Sequence, residues 1–451
     1  MLSQQNTYPF GPDKPRSTKI VATLGPASSD LDTLEKMIRA GVDVVRMNFS
    51  HGTAEDHMKR AELVREASRR AGRTVGIMAD LQGPKIRVGK FKDGRVTLQR
   101  GQTFILDAQC ELGDDTRVGL DYKELPNDVR PGDTLLLDDG RIVFEVEKVV
   151  GSEIHCTVRH GGVLSNNKGI NRVGGGLTAP TLTAKDMEDI RIAAQIRADY
   201  LAVSFPKSGK DMFTARELLR QAGGHALLIA KIERAEAVEL AAYEDILSGS
   251  DGIMVARGDL AVEVGDAAVP ALQKRMIQLA RERNKLTITA TQMMESMINS
   301  PVPTRAEVSD VANAVLDGTD AVMTSAETAT GNHPVETIAA MARICLEAEK
   351  SMRVTLDRDF LDRVFTRIDQ SIAMAAVFTA YHLKVKAIAA LTQSGSTALW
   401  MSRLNVGVPI YALTPESTTR ERAALFRGVY PLTVTYHGHD RDALLDEAEQ
   451  V

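Results

Sequence analysis

Residues 226 to 233 of the chain read Ala-Leu-Leu-Ile-Ala-Lys-Ile-Glu. The run is apolar until Lys231 and Glu233, which is typical of a buried parallel strand whose carboxyl end reaches a polar surface. Because side chains alternate along a strand, both charged groups are predicted to point to the same side. Such a pair either closes the strand as a salt bridge, which is the commoner arrangement, or holds a metal ion and an anion side by side.

The same strand-and-helix unit recurs on both sides of this stretch. Short apolar runs are each followed by a helical pattern, and the predicted strands lie near residues 20–24, 42–47, 75–79, 200–204, 226–231, 253–256, 286–290 and 321–324. A repeat of roughly 25–35 residues suits a (β/α)₈ barrel. A doubly wound sheet is compatible with the rhythm alone, but eight parallel units favour a closed barrel.

Two segments depart from this pattern. Between residues 83 and 183 helical periodicity gives way to turn signals and alternating β-branched runs, which predicts an inserted all-β domain. After a linker near residues 354–358, a smaller alternation of helices and strands predicts a separate α/β domain over 353–451. The catalytic barrel is accordingly predicted to comprise 1–82 and 184–352.

Composition excludes several classes of protein. The 451 residues are 43% hydrophobic and 25% charged, with a net charge of −5 and no basic stripe, so nucleic-acid binding is not expected. No apolar run is long enough for a signal peptide or a membrane span, which predicts a cytoplasmic protein without membrane partners. Cys110, Cys156 and Cys345 lie too far apart in sequence for a recognisable zinc or disulfide pattern.

The predicted carboxyl ends of the barrel strands carry many charged and hydroxyl side chains. Barrel enzymes place their active sites on this face. The residues offered there are Arg46, Asn48, Ser50, Asp80, Lys85, Arg87, Ser204, Lys231, Glu233, Arg257, Gly258, Asp259, Thr289, Thr291 and Gln292.

Any one of these residues could have an ordinary structural role, such as capping a helix. Their convergence on one rim nevertheless indicates a functional site. Two carboxylates suit Mg²⁺ or Mn²⁺, and the surrounding cations suit a phosphoryl group in transfer. The chain contains no G-x-x-x-x-G-K-[ST] loop, which argues against a P-loop enzyme.

Six segments resemble pyruvate kinase, in a bacterial and potassium-independent-like form. They are Lys19–Ser28, Arg46–Gly52, Asp80–Arg87, Lys231–Glu233, Ala256–Leu260 and Ala290–Met297, within a resemblance that covers about residues 17–440. The resemblance implies a TIM barrel, a small inserted β-barrel acting as a lid, and a C-terminal α/β domain for regulation and assembly into a homotetramer. It also implies phosphoryl transfer from phosphoenolpyruvate to ADP, giving pyruvate and ATP.

The resemblance further implies individual roles. Glu233 and Asp259 would bind Mg²⁺ or Mn²⁺, while Lys231 would stabilise the transferring phosphoryl group. Arg46 would clamp the phosphate, and Thr291 with the backbone of Gly258 and Asp259 would hold the substrate carboxylate. The set implied for catalysis and substrate binding is Arg46, Ser204, Lys231, Gly258, Asp259 and Thr291. The set implied for the nucleotide is Asn48, His51, Arg87 and Lys168.

Three departures from the family pattern add expectations. In the monovalent-cation region, implied to comprise Asn48, Ser50, Asp80, Leu81 and Lys85, many relatives carry threonine and glutamate where this chain has Leu81 and Lys85. A fixed ammonium can take the electrostatic place of K⁺, so activity without K⁺ is expected. Ala261 replaces a usual glycine. The chain ends at Val451, before the family's usual final strands, so a shortened C-terminal domain is expected.

The segment Thr392, Gln393, Ser394, Gly395, Ser396, Thr397 lies between a predicted strand and a helix. A helix start of this kind suits phosphate, and in the family this loop binds a phosphorylated effector, here a sugar monophosphate or AMP. An ordinary capped helix start is the alternative.

Two other functions fit the rim less well. A metal-dependent aldolase acting on pyruvate would need neither the inserted domain nor Arg87 and Lys168. A non-catalytic paralogue that only binds phosphometabolites would have lost part of the rim set. All four residues that would be affected are present, namely Lys231, Glu233, Asp259 and Thr291.

Overall fold

The computed structural model describes residues 15–352, 364–365, 367–404, 407–435 and 446, so the linker predicted near 354–358 lies outside the described residues. The chain begins with strands and helices in alternation. Asp30 accepts a hydrogen bond from Thr33 N at 2.8 Å and caps the first helix, which Gly41 ends. These elements are β1 (Lys19–Thr23), α1 (Leu31–Ala40), β2 (Val44–Asn48), α2 (Ala54–Ala71) and β3 (Gly76–Asp80), with a 3₁₀ turn at Pro26–Ser28.

Ten strands and one short helix then interrupt the alternation. They are β4 (Lys90–Phe91), β5 (Arg95–Leu98), β6 (Thr103–Asp107), β7 (Leu112–Gly113), β8 (Arg117–Val118), α3 (Leu125–Asp128), β9 (Thr134–Leu137), β10 (Ile142–Val150), β11 (Glu153–His160), β12 (Gly162–Ser165) and β13 (Ile170–Arg172). A single apolar cluster that includes Phe104 and Phe144 fills the space between them. The all-β character predicted for this segment is therefore confirmed.

The hydrogen bonding of this segment differs from the expected small barrel. Its described strands form a six-stranded sheet in the order β13-β9-β10-β11-β6-β8 and two separate two-stranded ribbons, β12-β5 and β4-β7. The strands β4, β7 and β8 are each two residues long, which is too short to carry a continuous ladder around a ring.

The alternation resumes with helices on the outside of parallel strands. The elements are α4 (Ala184–Gln195), β14 (Tyr200–Val203), α5 (Gly209–Gln221), β15 (Leu227–Ile232), α6 (Leu240–Gly249), β16 (Gly252–Ala256), α7 (Arg257–Val264), α8 (Val269–Glu282), β17 (Leu286–Ala290), α9 (Arg305–Leu316), β18 (Ala321–Thr324), α10 (Ala326–Ala329) and α11 (Pro334–Lys350). Short 3₁₀ turns lie at Glu236–Val238, Asp266–Ala268 and Glu295–Ile298. A capping box starts α9: Thr304 Oγ1 accepts from Glu307 N at 3.3 Å, and Glu307 Oε2 accepts from Thr304 N at 2.8 Å.

Eight of the strands close into a parallel barrel in the order β1-β18-β17-β16-β15-β14-β3-β2. This confirms the predicted (β/α)₈ barrel and excludes the doubly wound sheet. Because all eight strands run in the same direction, their carboxyl ends meet at one rim.

The last described segment is a small parallel α/β unit. It consists of α12 (Ile368–Leu383), β19 (Ile388–Leu391), α13 (Ser396–Ser402), β20 (Ile410–Thr414), α14 (Ser417–Ala423) and β21 (Val429–Thr433), with sheet order β19-β20-β21. This arrangement agrees with the separate α/β domain predicted from the sequence.

Buried polar contacts fix this unit to the amino-terminal end of the barrel. Asp320, just before β18, pairs with the Arg403 guanidinium and accepts hydrogen bonds from Arg427 N at 3.0 Å and Thr287 N at 2.9 Å. The attachment therefore lies at the opposite end of the barrel from the carboxyl ends of the strands.

Within the described ranges, none of the helices combines the length and the apolar character that crossing a membrane requires.

Candidate active site

Lys231 and Glu233 do lie on the same side of β15, as strand alternation predicted. The Lys231 ammonium is 3.0 Å from Glu233 Oε1 and 3.3 Å from Asp80 Oδ1. It also donates a hydrogen bond to Ser204 Oγ at 2.7 Å, and that hydroxyl donates to Leu81 O at 2.7 Å. A single cation thus joins the ends of three neighbouring strands.

The protonation behaviour of this pair reflects opposing effects. Burial alone would lower the pKa of Lys231, but the carboxylates of Asp80 and Glu233 outweigh burial and the pKa is raised. The pKa of Glu233 is also raised, first by burial and then by the negative charges of Asp259 and Asp80, despite the attraction of Lys231. The raised pKa of Lys231 favours its charged form at neutral pH, whereas burial and the neighbouring carboxylates disfavour the ionised form of Glu233.

Asp80 lies at the base of the rim between two cations. Arg46 Nε donates to Asp80 Oδ2 at 2.5 Å, and Arg46 Nη1 donates to Thr23 Oγ1 at 3.1 Å. Asp80 is fully buried, and its Oδ1 accepts no hydrogen bond from the described residues although Lys231 Nζ is 3.3 Å away. Burial would raise the pKa of Asp80, but Arg46 and Lys231 together lower it.

The residues predicted for a monovalent-cation region are divided between two places. Asn48 and Asp80 are neighbours in the β2–β3 register, and Asn48 Oδ1 accepts from Ser50 N at 3.0 Å. The Lys85 ammonium instead lies 3.0 Å from Asp259 Oδ1 and 3.9 Å from Asp139 Oδ1. Asp80 is already paired with Arg46 and Lys231, so the Asp259 carboxylate is the one that attracts Lys85. Burial alone would lower the pKa of Lys85, but the negative charges of Asp259 and Asp139 outweigh burial, and the pKa is raised.

Thr291 and Gly258 meet at the other side of the rim. Gly258 N donates to Thr291 Oγ1 at 2.9 Å, and the threonine hydroxyl donates to Ala290 O at 2.7 Å. Asp259 follows directly in the first turn of α7. The three residues predicted to hold the substrate carboxylate are thus brought together.

Arg87 and Lys168 lie in the inserted segment. Arg87 bridges to Gly169 and its Nη1 donates to Asn167 O at 3.2 Å, while Lys168 pairs with Asp138 at 2.7 Å. Asn48 and His51 are at the end of β2, and no hydrogen bond or ion pair among the described residues links them to Arg87 or Lys168.

A cavity of about 810 Å³ separates the inserted segment from the barrel rim. It is lined by Lys85 and Asp139 of the inserted segment and by Gly258, Asp259 and Thr291 of the rim. Arg87, Lys168, Lys231 and Glu233 are not among its lining residues. A volume of this size accommodates a small organic ligand with a nucleotide or part of one.

Ser325 and Glu327 also line the cavity and were not predicted. Glu327 is buried and accepts hydrogen bonds from Ser325 N at 2.6 Å and Met294 N at 3.1 Å. Both residues follow β18, the eighth barrel strand, so the rule that strand ends carry the site would have identified them.

The described residues contain no group of three or more His, Cys, Asp or Glu side chains arranged to hold a metal. Glu233 and Asp259 nonetheless fit Mg²⁺ or Mn²⁺, because the charge of Asp259 raises the pKa of Glu233 and a dication would relieve that repulsion. These ions commonly retain waters and bind substrate oxygens, so two carboxylates are an adequate protein contribution.

The proposed effector loop has a well-formed local structure. Gly395 has φ 83° at the N-cap of α13, its N–H donates to Thr392 Oγ1 at 2.9 Å, and the hydroxyls of Ser394 and Ser396 are 2.9 Å apart. These hydrogen bonds are made within the loop itself and do not require a bound anion. Phosphate binding there stays a prediction.

The closed barrel and the charged groups at the carboxyl ends of its strands define a (β/α)₈ protein with a candidate active site at that rim. Comparison with known families specifies the class. A model described as pyruvate kinase, barrel domain, matches residues 15–338, and one described as pyruvate kinase, alpha/beta domain, matches residues 370–451.

Curated relatives agree with both family models. The pyruvate kinase of Haemophilus influenzae is 55% identical over 429 residues, covering 94% of this chain and 89% of the relative. Pyruvate kinase II of Salmonella typhimurium is 56% identical over 421 residues, covering 92% and 88%. The pyruvate kinase of Corynebacterium efficiens is 44% identical over 413 residues, covering 92% and 86%. The chain belongs to the pyruvate kinase family, the glycolytic phosphotransferases that convert phosphoenolpyruvate and ADP to pyruvate and ATP.

Proposed function

We propose that Lys231 is the group that stabilises the phosphoryl group as it moves from phosphoenolpyruvate to ADP. The observation that supports this role is the buried Lys231 ammonium shared between Asp80 and Glu233 at the centre of the rim. Phosphoryl transfer gains most from fixed positive charge around the transferring group. Arg46, which is itself oriented by Asp80 and Thr23, supplies a second cation for the phosphate.

The substrate carboxylate is proposed to bind at Thr291 and the backbone N–H groups of Gly258 and Asp259. Gly258 N–H now donates to Thr291 Oγ1 at 2.9 Å and the threonine hydroxyl donates to Ala290 O at 2.7 Å, so a carboxylate would bind by exchanging these hydrogen bonds for bonds to its own oxygens. Ser204 is proposed to act through Lys231, whose ammonium it fixes from 2.7 Å.

Glu233 and Asp259 are proposed to hold Mg²⁺ or Mn²⁺. When bound, the metal would neutralise charge on the phosphate and enolate oxygens. The two carboxylates are now paired with Lys231 and Lys85, so both ammonium groups are positioned to turn towards substrate oxygens once their carboxylates have another partner.

The segment 83–183 is proposed to be a lid whose Arg87 and Lys168 contact ADP, with Asn48 and His51 on the barrel side. The cavity between this segment and the rim supports the proposal, because closing it would exclude water that competes for the phosphoryl group.

Activity without K⁺ is proposed to follow from Lys85. Its ammonium is a fixed positive charge at the rim, although it lies beside Asp259 rather than among Asn48, Ser50, Asp80 and Leu81. A phosphorylated effector at 392–397, assembly as a homotetramer and a cytoplasmic location stay predictions; binding assays, light scattering and cell fractionation would test them.

A coupled assay with phosphoenolpyruvate, ADP and Mg²⁺ tests the proposed roles, with Lys231→Met as the loss-of-charge variant. We expect ADP-dependent pyruvate formation by the unmodified protein and a fall of about 10²-fold or more in kcat for the variant. Pyruvate release without ADP would favour an aldolase, and wild-type rates for the variant would refute the role given to Lys231.

A further inference from the structure

Two consecutive residues at the catalytic rim have backbone conformations that are unusual for their side chains. Thr291 has φ 69° and Gln292 has φ 53°, both in the left-handed region. The conformation is especially unfavourable for a β-branched residue such as Thr291. It persists only where surrounding groups hold it in place.

The Arg257 side chain makes the contacts that hold this turn. Its Nε donates to Ala290 O at 3.1 Å, and its Nη2 donates to Thr291 O at 2.7 Å and lies 2.8 Å from Met293 Sδ. The two carbonyls flank the Cα of Thr291, so one planar group fixes the peptides on both sides of the strained residue.

The guanidinium is itself fixed by a residue on a different helix. Asp310 on α9 accepts from Arg257 Nη1 at 2.6 Å and from Nη2 at 2.7 Å, a two-bond fork. The Arg257 side chain is only 13% exposed. Asp310 therefore fixes the plane of the Arg257 guanidinium, and the guanidinium in turn holds the backbone at Thr291.

Arg257 is also the chain neighbour of the group that donates to the Thr291 hydroxyl oxygen. Arg257 directly precedes Gly258, whose N–H donates to Thr291 Oγ1 at 2.9 Å. The backbone of Arg257 thus carries one member of the proposed carboxylate site, while its side chain orients the other.

We propose that Arg257, anchored by Asp310, is a positioning residue that keeps Thr291 in its left-handed conformation for substrate binding. This inference rests on the proposed role of Thr291. It depends on the forked geometry of the guanidinium rather than on its charge, because lysine cannot donate to two carbonyls and a carboxylate in one plane.

The test uses the full-length protein in the coupled assay, with Arg257→Lys and Arg257→Gln. We expect both variants to lose about a hundredfold in kcat/KM for phosphoenolpyruvate, with the KM for ADP nearly unchanged, because a small misplacement of a substrate-binding group has an effect of that order. Arg283→Gln is the matched control, since Arg283 forms an exposed pair with Glu244 at 2.7 Å on the outer surface and should retain wild-type kinetics.

A double-mutant comparison shows whether Arg257 acts through Thr291. Thr291→Ala alone should impair phosphoenolpyruvate use, and adding Arg257→Gln should cause less than a threefold further loss, because the group being positioned is already gone. Asp310→Asn, which leaves the rim residues untouched, should shift kcat/KM in the same direction by a smaller factor, and this variant carries the test if the Arg257 variants do not fold by circular dichroism.

Each contrary result has a distinct meaning. Wild-type kinetics in Arg257→Lys would show that charge alone suffices, and full additivity with Thr291→Ala would show that Arg257 acts elsewhere; either result overturns the inference. Wild-type kinetics in Thr291→Ala would overturn the proposed role of Thr291 and the inference with it.

Discussion

Replacing Lys231 by methionine removes the cation that the rim is built around while nearly preserving side-chain volume. The ammonium is 3.0 Å from Glu233 and 3.3 Å from Asp80, and those carboxylate side chains are 3% and 0% exposed. The substitution therefore leaves two buried negative charges with one partner fewer. Asp80 keeps Arg46, whereas Glu233 keeps its hydrogen bond from Phe205 N at 2.9 Å but has no second ion-pair partner among the described residues.

The size of the effect follows from these distances. At an effective dielectric constant of about 20, each ion pair at this separation contributes about 5 kcal/mol of attraction, which the desolvation of the ammonium partly offsets. Breaking a buried pair by removing one partner typically lowers the free energy of unfolding by about 3–5 kcal/mol. We expect a loss in that range, measured by urea denaturation in metal-free buffer with EDTA.

A metal titration makes the prediction sharper. If Glu233 is a metal ligand, Mg²⁺ and Lys231 compete for the same carboxylate, and removing Lys231 leaves that carboxylate in greater need of a cation. Saturating Mg²⁺ should therefore raise the free energy of unfolding more in Lys231→Met than in the unmodified protein. The same preparations should lose at least about 10²-fold in kcat.

The control is Lys350→Met, because Lys350 forms an exposed pair with Glu347 at 2.6 Å. An exposed pair contributes at most about 1 kcal/mol, so this variant should be nearly as stable as the unmodified protein. A Lys231→Met protein as stable as the control would refute the electrostatic reasoning. A smaller Mg²⁺ effect in Lys231→Met than in the unmodified protein would refute the assignment of Glu233 as a ligand.

Three further predictions concern other charged groups. Burial and the charge of Glu421 raise the pKa of Asp199 to about 8, so folding favours the protonated form of its carboxyl group. The stability gained in this way is complete below about pH 4 and is lost as the pH rises through about 8. In thermal melts, the stability of Asp199→Asn relative to the unmodified protein should therefore increase from about pH 5 to pH 8, and a constant difference would contradict this. Lys85→Glu should make activity depend on K⁺, measured with KCl against choline chloride, whereas equal rates in both salts would show that Lys85 does not replace the ion. Arg403→Gln should lower the free energy of unfolding by about 3–5 kcal/mol, because it leaves Asp320 charged and buried, and a change below about 1 kcal/mol in urea melts would show that the pair is dispensable.

Much of the barrel was predictable because its signals are local. An apolar run that ends in charged residues marks both a buried strand and the end that reaches the active site, and β15 shows both features at once. Alternation placed Lys231 and Glu233 on one side, and the observed 3.0 Å separation follows from that. The capping box at Thr304 was predictable for the same reason, since its partners are three residues apart.

The partners across the site were not predictable, because they depend on how distant loops meet. Lys85 follows β3, yet its ammonium pairs with Asp259 after β16, 174 positions away. Arg257 was recognised as a rim residue, but its anchor, Asp310, lies on a helix with no sequence feature that distinguishes it from other exposed aspartates. Strand β21 is difficult to predict for a different reason, because Pro431 lies within it and proline usually argues against a strand.

The charges at the rim explain why a strand-end salt bridge also suits the proposed catalytic centre. Three cations, on Arg46, Lys85 and Lys231, are paired with three carboxylates, on Asp80, Glu233 and Asp259, so these six side chains have no net formal charge. Adding a metal alone or an anionic substrate alone would leave an unbalanced charge in a buried place, whereas adding both together leaves a much smaller net charge. Binding of the two is therefore expected to be mutually favourable, and by thermodynamic linkage each must strengthen the other by the same factor. If Glu233 and Asp259 hold the metal as proposed, Lys231 and Lys85 would lose their carboxylate partners on metal binding and would then be available to the phosphoryl group.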